Sequence, residues 1–207
     1  DILVNAGTIG PANAVLIPGT TLIRNVFGLT ESHYRWRNDD GGETGSEGWY
    51  NVNWPLRKQL TLDGSLVSGS SPLTDFPILV SYTDAELRHT TSGGKTANIN
   101  GYDIIFTDSG GTPIKLDHEI QRYNPATGEI IMWVRMPTLT PGADTNIYIY
   151  YGNPAISISQ ENKSGLWNTG YEAVLHLQES GGGVNDEFKD SAVNGHHGTG
   201  GGIAGGG

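Results

Sequence analysis

The segment 146–154, Asn-Ile-Tyr-Ile-Tyr-Tyr-Gly-Asn-Pro, constrains the fold more than any other part of this chain. Isoleucine alternates with tyrosine from Ile147 to Tyr150, and successive side chains of a β-strand point to opposite faces. Large side chains on both faces predict a strand between two layers, and the Gly-Asn-Pro at its end predicts a turn. A second alternating segment runs from Tyr171 to Glu179. The chain is therefore predicted to be a layered β-protein.

Similar patterns predict strands through most of residues 49–155. Leu56, Leu60 and Leu62 share one face of a strand, and segment 130–136 is apolar on both faces, which predicts a central strand. The box Thr83-Asp-Ala-Glu86 predicts one short helix. The chain has 31 glycines in 207 residues and only 16% charged residues, which is typical of turn-rich β-proteins. We predict an all-β antiparallel sandwich, jelly-roll-like, with extra N-terminal strands and a Gly-rich C-terminal extension.

Charge and cysteine content restrict the partners and the location. The formal net charge of −10 repels phosphate backbones, so nucleic acid is not an expected partner. No apolar run is long enough to predict a membrane span. The absence of cysteine in an extracellular β-protein favours a prokaryotic exterior. We interpret Asp1 as the start of either a processed mature form or a fragment.

Six ordered motifs carry a resemblance to a known domain. The region resembles a bacterial cell-surface β-sandwich domain of unknown function, which implies a compact sandwich, a prokaryotic cell-surface location and no established chemistry. The string 34–41 also resembles one that recurs in large bacterial surface proteins. The motifs are Trp54-Pro-Leu-Arg57, Leu73-Thr-Asp-Phe-Pro77, Tyr102-Asp-Ile-Ile-Phe-Thr107, Leu116-Asp-His-Glu-Ile120, Met132-Trp-Val-Arg135 and Tyr150-Tyr-Gly-Asn-Pro154.

A second resemblance begins at Leu166. Trp167, the segments 174–177 and 194–198, and Asp190-Ser191 resemble the opening of a laminin-G/concanavalin-A-like module, but the chain ends in a Gly-rich run before such a module is complete. Four regions are predicted: N-terminal strands and an acidic turn in 1–48, the sandwich in 49–155, a linker in 156–165, and 166–207. The last is either a truncated lectin-like segment or an exchanged strand with a Gly-rich tail.

Two acidic turns concentrate oxygen ligands, which calcium prefers. The same residues also favour turns through Asx hydrogen bonds, so calcium binding and turn formation both stay open, and no cofactor is required. The first turn contains Asn38, Asp39, Asp40 and Glu43, and the second contains Asp186, Glu187 and Asp190.

The segment 114–121 alternates cleanly, with Ile114, Leu116, His118 and Ile120 predicted to face inward and Lys115, Asp117, Glu119 and Gln121 outward. Asp117 and Glu119 would lie about 6 to 7 Å apart on one face. Glycoside hydrolysis uses paired carboxylates at about 5 to 10 Å, but a solvated sheet face has the same pattern. His118 is predicted to be a hydrogen-bonded core residue rather than a metal ligand, since no zinc ligand set accompanies the histidines.

Several aromatic residues could provide a platform on which sugar rings stack. Most of them lie in strands that are apolar on both faces, which favours packing in the core. They are Trp49, Trp54, Trp133, Trp167, Tyr148 and Tyr150.

Apolar strands at the two ends of the chain have no evident partner, and an open strand edge can pair with a neighbouring molecule. The sequence predicts a secreted, non-enzymatic structural or adhesive protein, as a filament subunit assembled by strand exchange. It would associate with itself or with neighbouring surface proteins. The alternatives are a carbohydrate-binding module, with glycans as partners, and, more remotely, a glycoside hydrolase. The predicted assembly residues are Ile2, Leu3, Val4, Val15, Leu16, Ile17, Val174, Leu175 and Leu177.

Overall fold

The computed structural model describes residues 48–180 and 182–200, together with the backbone of residues 2–5. These residues form two compact units. The larger unit lies within 48–162, and the smaller unit combines 2–5 with 163–180 and 182–200. Among the described residues, none of the helices has both the length and the apolar character needed to cross a membrane.

The larger unit contains two antiparallel sheets of three strands each. The predicted all-β antiparallel sandwich is thereby confirmed. The strands are β2 (Leu56–Leu62), β3 (Leu73–Thr83), β4 (Ile105–Asp108), β5 (His118–Asn124), β6 (Glu129–Leu139) and β7 (Thr145–Tyr151), in the sheet orders β2-β7-β4 and β3-β6-β5.

The two strands that are apolar on both faces, β6 and β7, are the central strands of their sheets. The central position of β6 was predicted from segment 130–136, and β7 lies between two apolar layers, as predicted. Inward side chains of both sheets form one continuous core, to which β7 contributes Ile147, Ile149 and Tyr151. On its outer face, Tyr150 is also fully buried, because Trp54 and Ile105 pack around it. The alternation of isoleucine and tyrosine in β7 thus fills two apolar layers.

Asp103 and Gly152 fix the turn after β7. Gly152 has a φ of 89°, which glycine adopts without the steric cost of a Cβ atom. Its N–H donates to Asp103 Oδ2 at 2.8 Å. The predicted Gly-Asn-Pro turn therefore ends β7 against a buried carboxylate.

The predicted alternation of 114–121 is only partly correct. Leu116 and His118 are buried, but Ile114 is 65% exposed and Glu119 is 1% exposed. Lys115 forms an isolated antiparallel bridge with Thr107 of β4, in one sheet. Three residues later β5 begins at His118, in the other sheet. A bulge after Ile120 then shifts the register. The chain changes sheets within this segment, so one alternation cannot describe it.

Helical structure in the larger unit is limited to single 3-10 turns within the described residues. They are Gly64–Leu66, Ala85–Leu87 and Thr90–Ser92. The turn Ala85–Leu87 corresponds to the predicted short helix, but its N-cap is Asp84 rather than Thr83, because Asp84 Oδ1 accepts the N–H of Glu86 at 2.8 Å.

The smaller unit contains a four-residue helix, α1 (Lys163–Leu166), and two antiparallel strands, β1 (Ile2–Asn5) and β8 (Tyr171–Leu175). Trp167 is fully buried and meets Tyr171 edge to face, with ring centroids 5.3 Å apart. The predicted strand extended to Leu177, but β8 ends at Leu175. Leu177 has a φ of 53° and is 44% exposed, so it cannot continue the strand.

Candidate assembly and ligand sites

The two predicted assembly segments that the structure describes pair with each other. Leu3 of β1 is opposite Val174 of β8, and Ile2 is opposite Leu175. Predicted assembly residues from the two ends of the chain therefore share one antiparallel ladder. The third segment, Val15, Leu16 and Ile17, lies outside the described residues.

Asp190 organises the other edge of β8. Its Oδ1 accepts the N–H groups of Val174 at 2.7 Å and Ala192 at 2.8 Å, and its Oδ2 accepts the N–H of His196 at 2.8 Å. The N–H of Ser191 donates to the carbonyl oxygen of Val174 at 2.8 Å. The backbone N–H and carbonyl groups of Val174 are thus hydrogen-bonded to Asp190 and Ser191, on the side of β8 that faces away from β1. Leu3 and Val174 consequently form a non-hydrogen-bonded pair of the ladder, where the two Cα atoms approach most closely.

The carboxylates of the second predicted calcium turn serve as backbone caps. The Glu187 carboxylate accepts the N–H groups of Gly182, of Gly200 at 2.6 Å and of Gly183 at 3.2 Å. These backbone hydrogen bonds, that of Gly182 most strongly, outweigh desolvation and lower the pKa of Glu187. Across the part of the chain that the structure describes, no three His, Asp or Glu side chains come together as a metal-binding group. The first predicted calcium turn, Asn38, Asp39, Asp40 and Glu43, lies outside the described residues.

An aromatic cluster covers the outer face of sheet β2-β7-β4. The guanidinium of Arg57 lies 4.5 Å from the ring centroid of Trp49 and 4.2 Å from that of Tyr148. Arg57 Nη1 also donates to the hydroxyl of Tyr150 at 2.9 Å. Each such cation–π contact contributes about 0.5 to 2 kcal/mol, depending on burial. Arg57 therefore covers one face of the Trp49 ring and one face of the Tyr148 ring.

Other predicted platform residues lie elsewhere. Trp54 joins this cluster but is buried, and its Nε1 donates to the carbonyl oxygen of Asp103 at 2.7 Å. Trp133 is on β6 of the opposite sheet, and its Nε1 donates to Gln121 Oε1 at 2.8 Å. Trp167 is buried in the smaller unit. The sequence did not indicate the role of Arg57, because its aromatic partners come from distant segments.

A short polar ladder continues the same outer face beyond Tyr148. Asn146 Oδ1 accepts from Gln59 Nε2 at 3.1 Å and from the hydroxyl of Thr61 at 2.7 Å. The Tyr148 hydroxyl reaches Gln59 Oε1 at 3.4 Å. All four side chains are half-buried.

The two carboxylates proposed for glycoside hydrolysis do not share a solvated face. Asp117 Oδ1 accepts from Asn162 Nδ2 at 2.8 Å, and its Oδ2 lies 3.7 Å from Arg135 Nη1. Glu119 is almost completely buried. Glu119 lies opposite Trp133, on the outer face of its sheet as predicted. It is buried there because the segment 161–162 returns along β5, where Asn162 N–H donates to the carbonyl oxygen of His118 at 3.0 Å.

His118 is a core residue, as predicted, but only one ring nitrogen is hydrogen-bonded. Nδ1 lies 3.3 Å from the carbonyl oxygen of Leu116, and Nε2 is buried with no hydrogen-bond partner. The ring meets Phe106 edge to face at 5.8 Å. Burial lowers the pKa of His118 from 6.5 to about 4. The imidazole is therefore neutral at neutral pH.

Sequence reasoning missed a buried lysine. The alternation that places Leu56, Leu60 and Leu62 on one face of β2 places Lys58 on the same face. The structure confirms this position, since Lys58 is 3% exposed. Its ammonium contacts Asp84 and lies 3.3 Å from Glu86 Oε2.

One family model matches the central part of the chain. Residues 100–171 match the domain of unknown function DUF2341. The DUF2341 region includes β4 to β7 and ends at the first residue of β8. It covers roughly a third of the 207 residues and supports the predicted presence of an uncharacterised domain. No curated protein and no solved structure matches the chain.

Proposed function

We propose that this protein is a secreted, non-enzymatic structural or adhesive component of a prokaryotic cell surface, and that its copies assemble into filaments by β-strand exchange. The observation that carries the proposal is the pairing of β1, at the start of the chain, with β8, near its end. The six ordered motifs and the lack of cysteine support the extracellular location.

The β1–β8 sheet has features that favour exchange. A sheet of two strands is marginally stable by itself. One edge of β8 is occupied by Asp190 and Ser191, so β1 supplies the hydrogen bonds of the opposite edge. A β1 strand from a neighbouring copy would make the same bonds in the same register. Exchange therefore loses no ladder hydrogen bonds, and repetition from copy to copy builds a linear chain.

The register gives a direct test of exchange. The chain contains no cysteine, so single variants Leu3→Cys and Val174→Cys each carry one thiol. Cα atoms in a non-hydrogen-bonded pair are about 4.5 Å apart, within the range that a disulfide spans. We expect a mixture of the two variants to form a Leu3→Cys/Val174→Cys disulfide between chains, identified by mass spectrometry after isotopic labelling of one variant. Electron microscopy should show fibres under the same conditions.

The matched control replaces the second position with Val193→Cys, which is 44% exposed and outside the β1–β8 register. This mixture should give only the low level of cross-linking expected from random collision. If Leu3→Cys and Val174→Cys form a disulfide only when both are in one chain, at every protein concentration, the strands do not exchange.

Glycan binding is a second candidate, favoured by the polar ladder of Gln59, Thr61, Asn146 and Tyr148. Amide groups beside an aromatic ring can hydrogen-bond sugar hydroxyls. We expect the intrinsic tryptophan fluorescence, to which Trp49 contributes, to change on titration with at least one member of a panel of soluble polysaccharides. The double variant Gln59→Ala/Tyr148→Ala should weaken that binding at least tenfold, and the surface variant Ile158→Ala should not. An unchanged spectrum with every polysaccharide contradicts this candidate.

A further inference from the structure

Lys58 is an unusual residue for the interior of a sandwich. Its side chain is 4% exposed, on the inner face of β2 among the core leucines. Taking an ammonium and a carboxylate out of water costs several kcal/mol per ion, and their attraction regains this only in good geometry. Lys58 Nζ contacts Oδ2 of Asp84, whose side chain is 15% exposed. The two oppositely charged groups are thus buried together.

The contact joins the two sheets. Lys58 belongs to sheet β2-β7-β4, and Asp84 follows the last residue of β3 in the facing sheet. Gly128 helps to fix Asp84: its carbonyl oxygen accepts the Asp84 N–H at 3.2 Å. A Cβ atom at Gly128 would lie 1.9 Å from the Asp84 carbonyl oxygen, so a larger residue would displace Asp84.

Two hydrogen bonds fix the orientation of the Asp84 carboxylate beside Lys58. Its Oδ1 accepts the N–H of Glu86 at 2.8 Å, and its Oδ2 accepts the hydroxyl of Tyr82 at 2.8 Å. Glu86 Oε2 lies 3.3 Å from Lys58 Nζ and 3.3 Å from the hydroxyl of Tyr151. The Glu86 side chain is 35% exposed, so it connects the buried pair with solvent.

We propose that Lys58 and Asp84 become joined by an intramolecular amide bond, with Glu86 as the catalytic proton carrier. This bond would link the two sheets covalently in a chain that has no cysteine for a disulfide. The proposal stands on the geometry of the larger unit and is independent of strand exchange.

The reaction needs no oxidant, reductant or cofactor. The Lys58 ammonium passes a proton to Asp84, and the neutral amine attacks the Asp84 carboxyl carbon, forming the N–C bond. Negative charge develops on Oδ1, where the N–H of Glu86 stabilises it. Glu86 takes a proton from the nitrogen and delivers it to Oδ2. The bond between carbon and Oδ2 breaks, one water leaves, and Glu86 returns to its initial state.

The starting state is the ion pair. Burial acts to raise the pKa of Asp84, but the hydrogen bonds from Lys58, the Glu86 N–H and Tyr82 outweigh it and hold that pKa below its usual value. The neutral pair is thus a minor species, and the reaction is a single slow maturation step. The fixed contact between Lys58 and Asp84 compensates for the small population of the neutral pair, because two groups held together in one fold have a very high effective concentration. The amide product removes both buried charges.

Intact-mass spectrometry of the denatured full chain tests the proposal. We expect a mass lower than that of the sequence by one water. Between Lys58 and Arg88 the chain contains no lysine or arginine, so trypsin normally cuts after Lys58 and releases 59–88. In the cross-linked protein Lys58 is no longer a cleavage site, and we expect the peptide 58–88, lighter by one water. A wild-type chain with the full sequence mass overturns the proposal.

Variants distinguish this amide from other losses of water. Lys58→Arg keeps the positive charge but cannot form the amide, and Glu86→Gln keeps the size but cannot carry the proton. Both should have the full mass, with the fold verified by circular dichroism. Lys115→Arg is the matched control, because Lys115 is a half-buried lysine that donates to the carbonyl oxygen of Gln160, and it should still lose water.

Asp63-Gly64 lies in the same peptide and can lose water by forming a succinimide with its own backbone. That loss leaves Lys58 open to trypsin and persists in Lys58→Arg. Loss of water that persists in Lys58→Arg, or that maps to Asp63, therefore overturns the assignment to Lys58 and Asp84. A failure of strand exchange would leave all these masses unchanged.

Discussion

Replacing Asp103 by alanine is expected to lower the free energy of unfolding of the sandwich by about 3 to 5 kcal/mol. Asp103 is fully buried, and its carboxylate accepts the N–H groups of Ala97 at 2.8 Å, Asn98 at 2.9 Å and Gly152 at 2.8 Å. Hydrogen bonds to a charged group contribute about 1.5 to 3 kcal/mol each, and an unsatisfied buried donor is costly. Alanine would leave all three donors without the carboxylate.

The effect reaches beyond one loop, because Asp103 connects the segment before β4 with the turn after β7. Urea unfolding followed by tryptophan fluorescence measures the loss. Asp103→Asn keeps the shape and one acceptor oxygen, so its loss should be smaller. Asp108→Ala is the matched control, since Asp108 Oδ1 accepts a single backbone N–H, that of Ile114, at an exposed position. Equal losses for Asp103→Ala and Asp108→Ala would contradict this explanation.

Acidification is expected to destabilise the sandwich through His118. Because burial lowers the pKa of His118 from 6.5 to about 4, the unfolded chain binds a proton between these pH values and the folded chain does not. The contribution of His118 to stability is therefore fully present above pH 6.5 and is lost as the pH falls toward about 4. One pKa unit corresponds to about 1.4 kcal/mol, so the loss is about 3 kcal/mol.

Urea unfolding between pH 7 and pH 4 measures this loss. His118→Leu removes the titrating group from the core and should flatten the pH dependence in this range, whatever its stability at pH 7. Ile130→Val, a change at a fully buried core position that leaves every titrating group in place, should keep the wild-type slope. Asp84 does not obscure the result: its free carboxylate, whose pKa is lowered from 3.8, contributes at lower pH, and the proposed amide with Lys58 does not titrate. Parallel profiles for wild type and His118→Leu would show that His118 is not responsible.

Local patterns correctly predicted the central position of β6 and the two apolar faces of β7. The apolar faces of β6 and β7 are read from consecutive residues, because alternation within one strand reports directly which faces are buried. The segment 114–121 shows the limit of this reasoning. Its pattern looked continuous, but the chain changes sheets near Asp117, so Ile114 is exposed, and the segment 161–162 covers Glu119 on the outer face.

The candidate sites could be predicted less completely from the sequence. Val174 and the β1 residues were predicted as assembly segments, but which residue of β1 lies opposite Val174 can be read only from the backbone structure. Arg57 has aromatic partners as far along the chain as Tyr150, and no local pattern relates them. The periodicity of β2 did place Lys58 on the inner face, and only the core leucines around it were recognised.

The sequence by itself determined that this is an antiparallel β-protein with a central strand at 130–136, because strand periodicity and turn chemistry depend on neighbouring residues. The tertiary structure decided which distant groups meet: Lys58 with Asp84 across the two sheets, Asp103 with Gly152, and β1 with β8. The physical reason is that such contacts depend on sheet order and on the register between strands. Burial of a charge or of a hydrogen-bond donor then gives each contact its large energetic effect, and burial is a property of the assembled layers.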